Sequence, residues 1–349
     1  MQCVFDARQT AHDPQTFLVA GQLRPSPEQP RRAEVLLNGA TEAGLEVIAP
    51  ADYGRGPLAA VHSSEYLAFL ETIHARWSAL PDAGAEVVPN IHPDRRAASY
   101  PSSPVGQAGW HLQDTACPVG ASTWDSAYWS AQSALTGAEL VLEGERSAYA
   151  LSRPPGHHAL ADAAGGFCFL ANSAIAAQRL RDAGRRVAIL DVDVHHGNGT
   201  QSIFYDRGDV LTVSIHCDAS VFYPFFWGHA QERGIGQGEG ANLNLPLARG
   251  TADDGFLEAL GAALARIRSF GTDALVVALG LDAYVGDPLA GLGVTTPGFA
   301  RIGEAIGRFG LPTLLVQEGG YLSEELGRNL TSFLGGFANG QAEAGRVHV

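Results

Sequence analysis

The sequence predicts an α/β protein: a central, mostly parallel sheet flanked by helices on both faces. Two observations carry that expectation. Short apolar, β-branched runs alternate with longer segments of helical periodicity through the second half of the chain. Those runs also end, one after another, in carboxylates, imidazoles or glycine turns, where sheets of this kind place their ligands. No break in composition divides the 349 residues, so a single domain, 1–349, is expected.

Gln2 to Phe5 reads as a first strand, and Asp13 to Pro30 as a loop punctuated by four prolines. Arg31 to Ala43 reads as a helix and Glu46 to Ile48 as a strand. After His62 and Ser63, the residues Tyr66, Leu67, Phe69, Leu70 and Ile73 recur at helical spacing and are most simply core, and His62 most simply a capping or packing histidine. A long insert follows at about 81–121; Pro81 to Cys117 has no clear periodicity and carries Tyr100 and Trp110, as a functional, interface or disordered surface loop would. Ser122 to Leu142 restarts as a helix. Then come strands at Ala148 to Leu151, Val187 to Leu190, Val210 to Ile215, Ala274 to Gly280 and Thr313 to Gln317. Helices are expected at Asn172 to Ala183, Thr251 to Phe270, Pro297 to Phe309 and Glu324 to Phe337.

Composition is globular, 46% hydrophobic and 17% charged, and the net charge is -14. That balance argues against a nucleic-acid partner and suits cationic or neutral small molecules, although many enzymes are acidic for solubility alone. Cys3, Cys117, Cys168 and Cys217 are scattered with no CxxC pair, as expected of reduced thiols in a cytoplasmic protein. No signal-peptide pattern and no apolar run of about 18 residues is present, so no membrane association is expected.

The chemistry concentrates in VAILDVDVHHGNGTQ, residues 187–201. A buried strand that abruptly presents Asp191, Asp193, His195 and His196 must offset their desolvation with a metal, an ion pair or a dense hydrogen-bond network. Alternation puts Asp191, Asp193 and His195 on one face. A lone Asp or His at a strand end would be structural, but five polar residues in eight positions favour a metal site without fixing which metal. The other strand ends add His157 and His158 in RPPGHH, His216, Asp282, and Tyr321 in EGGY, whose glycines suggest a mobile backbone able to swing a phenol toward a ligand. Together they supply metal ligands, a base and an oxyanion donor.

In that order the motifs RPPGHH, GGFCFLAN, DVDVHHGNGTQ, TVSIH, LGLDA and QEGGY resemble the histone deacetylase family, from about His62 to Phe337. Within it, the early RRAE, HSSEYLAFLE, the chain length and the long central loop most resemble bacterial acetylpolyamine amidohydrolases. The resemblance implies the arginase/deacetylase-type fold, Zn2+ held by Asp193, His195 and Asp282, and a histidine pair in which His157 bonds Asp191 and His158 bonds Asn198. It implies K+ or Na+ bound by Asp191, Ser214 and the carbonyls of Asp193, His195 and Ile215, with a second such site at the carbonyls of Phe204, Arg207 and Val210. It places Phe167 and Tyr223 in the tunnel walls, with Gly166 and Gly319 among the substrate-binding residues and Tyr321 as the oxyanion donor. The implied activity is deacetylation of acetylpolyamines, in a homodimer whose 81–121 loop narrows the tunnel mouth.

Three positions depart from that pattern. Phe17 stands where those enzymes carry an acid, Asp114 in GWHLQDT is the nearest candidate for the distal ammonium, with Glu65 the other acid near the mouth, and Tyr284 follows Asp282 where related sequences vary. Neutral or xenobiotic small amides and protein acetyl-lysine are therefore alternative substrates, and Fe2+ an alternative metal. A non-catalytic acyl-amine sensor and an arginase-like dimanganese hydrolase are the rival classes; the second needs further bridging Asp and His ligands that the sequence lacks.

Overall fold

The computed structural model describes residues 1–93 and 99–347. The strands are β1 (Gln2–Val4), β2 (Thr16–Val19), β3 (Gln22–Pro25), β4 (Glu46–Ile48), β5 (Ser147–Ala150), β6 (Val187–Asp191), β7 (Val210–Cys217), β8 (Asn242–Leu247), β9 (Ala274–Leu279) and β10 (Thr313–Gln317). The helices are α1 (Arg31–Glu42), α2 (Gly56–Ala59), α3 (Ser64–Ser78), α4 (Pro104–His111), α5 (Thr123–Leu142), α6 (Asn172–Asp182), α7 (Asn198–Phe204), α8 (Asp253–Phe270), α9 (Thr296–Arg308) and α10 (Leu326–Val347).

Eight strands form one sheet in the order β4-β1-β5-β10-β9-β6-β7-β8, with every neighbouring pair parallel. Every residue of β5, β6, β9 and β10 is buried, which is why these strands read as continuous apolar runs rather than alternating ones. One core, with Leu135, Ile175 and Phe204, packs the face covered by α5 and α6; the other, with Phe256, Phe299, Phe333 and Phe337, packs the face covered by α8, α9 and α10. The five strands whose ends carry the polar residues, β5, β10, β9, β6 and β7, are consecutive in the sheet. Their carboxyl ends therefore meet along one edge.

Four expectations are corrected. The loop from Asp13 to Pro30 contains the antiparallel hairpin β2–β3, closed by Ala20 and Gly21, both at positive φ; Ala-Gly lacks the Asn-Gly signal of such turns. The insert holds helix α4 and a Val87–Val119 bridge, its short period masked by Gly106 and Gly109; residues 94–98, within the insert, lie outside the described part. Strand β8 was not expected because NLNLPL carries two asparagines and a proline, which an edge strand tolerates. The last helix runs to Val347 rather than ending at Phe337.

His62, read as a packing residue, is buried and its Nε2 accepts the Ala171 N–H at 3.0 Å. No helix among the described residues is long and apolar enough to cross a membrane.

Candidate metal centre

Strand β6 ends at Asp191, and the backbone then turns so that Asp193 and His195 meet Asp282 from the end of β9. One ligand atom from each of Asp193, His195 and Asp282 lies within 4.8 Å of the others, and all three residues are buried. His195 Nδ1 stands 3.1 Å from Asp193 Oδ1 and 3.2 Å from Asp282 Oδ2. Burial would push the His195 imidazole down, but the two carboxylates outweigh it and raise it to about 9. Burial, then the Asp193 charge, raises the Asp282 carboxyl. Asp193 is held well below the usual carboxylate range, against burial, by His157 and His195.

Asp282 Oδ2 is buried without a hydrogen-bond partner. Two carboxylates and an imidazole crowded in the interior, with one carboxylate oxygen lacking a hydrogen bond, are the environment a bound cation compensates. The O,O,N donor set suits zinc or another divalent transition ion and leaves a coordination position open. Gly319 completes the frame: its N–H donates to Asp193 Oδ2 at 2.8 Å, and a Cβ there would lie 2.2 Å from Asp282 Oδ2. Gly319 therefore sits directly against both carboxylates.

The RPPGHH turn brings His157 and His158 beside this cluster. His157 Nδ1 pairs with Asp191 Oδ2 at 2.9 Å and His158 Nδ1 with Asn198 Oδ1 at 2.7 Å. An amide oxygen only accepts, so His158 carries its proton on Nδ1 and keeps a lone pair on Nε2. Burial, reinforced by His157 and His195, holds His158 well below 6.5 and so neutral. For His157, burial is outweighed by Asp193 and Asp191, which hold it well above 6.5.

Tyr321 is buried; burial, partly opposed by Arg32, raises its phenol well above 10, so it stays a donor. Three hydrogen bonds hold the EGGY segment, whose glycines in the sequence suggest a mobile backbone. The Tyr321 N–H donates to Asp287 Oδ2 at 2.8 Å. Arg32 donates to the carbonyls of Glu318 and Gly320 at 2.8 and 2.6 Å, and its guanidinium carbon lies 4.7 Å from the Tyr321 ring centre.

Aromatic rings gather beside the site. Phe167 meets Tyr321 edge-on at 5.7 Å, and Phe17 from β2 meets Phe167 at 5.7 Å. Tyr223 stands perpendicular to the His158 ring at 5.0 Å. Tyr284, expected among the substrate contacts, is half-buried, with its backbone bridging Val294 and its side chain packed on the core. The Asp114 carboxylate accepts from Tyr223 Oη at 2.7 Å and from the Gly166 N–H at 3.1 Å, so it is already engaged where a distal ammonium was expected.

Asp191 and Ser214 are direct register partners and line a small cavity among buried residues. Ser214 Oγ also contacts His216 Nδ1 at 2.8 Å. Phe204 and Arg207 belong to one turn, through an Arg207 N–H to Phe204 carbonyl bond of 3.0 Å, and Val210 opens β7 just beyond it.

Three residues at the site went unread in the sequence. Phe222 stacks on His195 at 5.0 Å. The buried Glu318 carboxylate accepts from the N–H groups of Gly156 and His157 at 2.6 and 3.0 Å and from Ser173 Oγ at 2.7 Å, fixing the histidine turn. Asp287 anchors Tyr321. Only EGGY carried a signal, and it pointed to the glycines instead of the glutamate.

Fold and site together define a class. The chain matches the histone deacetylase domain over residues 26–337 and belongs to the histone deacetylase family, with the arginase/deacetylase-type fold. It is 50% identical to an acetylpolyamine amidohydrolase of Burkholderia pseudomallei over 97% of this chain and 98% of that one. It is 48% identical to acetylpolyamine amidohydrolase 1 of Pseudomonas aeruginosa, over 97% and 99%. The crystal structure of the acetylpolyamine aminohydrolase from Burkholderia pseudomallei, at 50% identity, superposes with a TM-score of 0.94 over 97% of this chain and 98% of that one.

Proposed function

We propose that this chain is a metal-dependent amidohydrolase, zinc being the expected ion, that deacetylates small N-acetylated amines, acetylpolyamines first. The observation that carries the reading is the convergence of Asp193, His195 and Asp282 beside a neutral His158 and a protonated Tyr321. The names of its relatives point to the same substrate class.

Asp193, His195 and Asp282 would hold the ion, which supplies Lewis acidity by acidifying a water molecule and polarising the amide carbonyl. His158 Nε2 takes the proton of the attacking water as the new C–O bond forms. The Tyr321 hydroxyl donates to the carbonyl oxygen as that atom becomes negative. When the C–N bond breaks, His158 returns its proton to the leaving amine, and acetate and free amine result. His157, charged and tied to Asp191, keeps the neighbouring imidazole neutral, while Asn198 holds its tautomer. Asp191 and Ser214, with the Asp193, His195 and Ile215 carbonyls, would hold K+ or Na+ behind the site, and the carbonyls of Phe204, Arg207 and Val210 a second such ion.

A second reading, hydrolysis of neutral small amides, is favoured by Phe17 against Phe167 and by the engaged Asp114 carboxylate. The two are separated by kcat/KM on acetylputrescine, acetylcadaverine, an acetyl-lysine peptide and an uncharged N-alkylacetamide of matched length. Acetylputrescine or acetylcadaverine is expected to lead; best turnover of the uncharged amide would shift the assignment to neutral amides. We further propose that residues 1–349 act as one catalytic unit, in the cytoplasm, and that the 81–121 segment joins two copies; light scattering on the purified chain tests the dimer.

A further inference from the structure

The insert is stitched to the catalytic turn. The Ala164 N–H donates to the His111 carbonyl and the Gln113 N–H to the Ala164 carbonyl, each at 2.8 Å. Gln113 Nε2 reaches the His158 carbonyl at 3.2 Å. Asp114 comes next, and each of its oxygens is used: Oδ1 accepts the Ala116 N–H at 2.9 Å, and Oδ2 accepts both the Gly166 N–H at 3.1 Å and the Tyr223 hydroxyl at 2.7 Å.

The two groups held by Oδ2 both lie against His158. The Tyr223 ring meets His158 at 5.0 Å and 90°, and His195 at 6.0 Å and 76°. Gly166 sits at φ +51°, and a Cβ there would lie 2.4 Å from the His158 ring and 2.9 Å from Tyr223 Oη. A phenol that donates to a carboxylate is fixed in rotation as a phenylalanine would not be. A carboxylate offers about four lone-pair sites, and three here are filled from within the protein.

We infer that Asp114 is a positioning residue: it latches Tyr223 and Gly166 together against His158, setting the space beside the proton-transferring imidazole, and does not pair with a distal ammonium. At Asp114 selection then falls on shape, favouring linear unbranched N-acetyl amines, and a preference for a charged far end is set elsewhere in the site. This rests on the amidohydrolase reading above. It also gives the insert a part in the site that requires no second copy of the chain.

The test uses the zinc-loaded full chain, with Asp114→Ala, Asp114→Asn, Tyr223→Phe and the Asp114→Ala/Tyr223→Phe double variant, on acetylputrescine and on N-pentylacetamide, in which methyl replaces the ammonium. Thermal midpoints accompany each. Tyr223→Phe is expected to lower kcat about 10-fold on either probe, the loss of one charge-assisted hydrogen bond, and Asp114→Ala, which releases Gly166 and Ala116 as well, by at least as much. The double variant should lose no more than Asp114→Ala alone, with no further 10-fold, because Tyr223 acts through its contact with Asp114. Asp114→Asn, which keeps an acceptor oxygen, should recover part of the rate. A rise in KM confined to acetylputrescine and equal in the Ala and Asn variants would overturn the inference, as would multiplicative losses in the double variant. Wild-type protein that hydrolyses neither probe would instead overturn the amidohydrolase reading.

Discussion

His157 and His158 are adjacent in the chain, yet their surroundings drive their protonation apart. His157 faces the Asp191 and Asp193 carboxylates and holds its charge; His158 faces an amide oxygen and two imidazoles and loses it. The same logic keeps Tyr321 a donor, because burial raises its phenol. Tyr321→Phe is expected to retain the metal and lose about 10²–10³ in kcat, the worth of one oxyanion donor; metal content and steady-state rates of the purified variant check this. At this scale the sequence was legible where chemistry needs a rare residue at a strand end, as with Asp193, His195 and Asp282. It was illegible for Glu318, Asp287 and Phe222, since an acid in a glycine turn and a phenylalanine in a loop have many ordinary explanations. Asp114 was found without its neighbours: the sequence placed it near the mouth, while only the fold brings Tyr223 and Gly166 to its carboxylate.

Among the elements, α1 and the segment before it hold the strand ends in place through a buried ion cluster. Glu28 Oε1 accepts from Arg32 and Arg153 at 2.8 and 2.7 Å, and Oε2 from Arg153 at 2.9 Å. Burial would raise the Glu28 carboxyl, but Arg153 and Arg32 outweigh it and lower it below 4.5. A carboxylate lowered in the folded state stabilises above its unfolded pKa, and that share is lost as pH falls through the folded value. Glu28→Gln leaves two buried guanidinium groups without their anion and is expected to cost about 3–5 kcal/mol. Urea unfolding at pH 7 checks the size, and the gap from wild type should narrow as pH falls below 4.5. The long helices and the buried strands were legible because their periods run for several turns or fill a whole apolar segment. The β2–β3 hairpin, helix α4 and edge strand β8 were not, because their turn and edge residues resemble loop.

Across the whole molecule, function follows from the order of strands. β5, β10, β9, β6 and β7 are consecutive in the sheet but scattered in the chain, so five separate loops deliver their polar residues to one edge. The sequence showed the five strand ends; only the pairing makes them neighbours. That convergence is the central claim, and metal dependence tests it most directly. The chain is stripped with a chelator, titrated with Zn2+ and assayed on acetylputrescine, with bound metal counted by atomic spectroscopy in wild type, Asp193→Ala and Asp282→Ala. Activity is expected to vanish on stripping and to return as one ion binds per chain, with neither variant binding the ion or turning over. Full turnover by the metal-free wild type, or by either variant, would contradict the account.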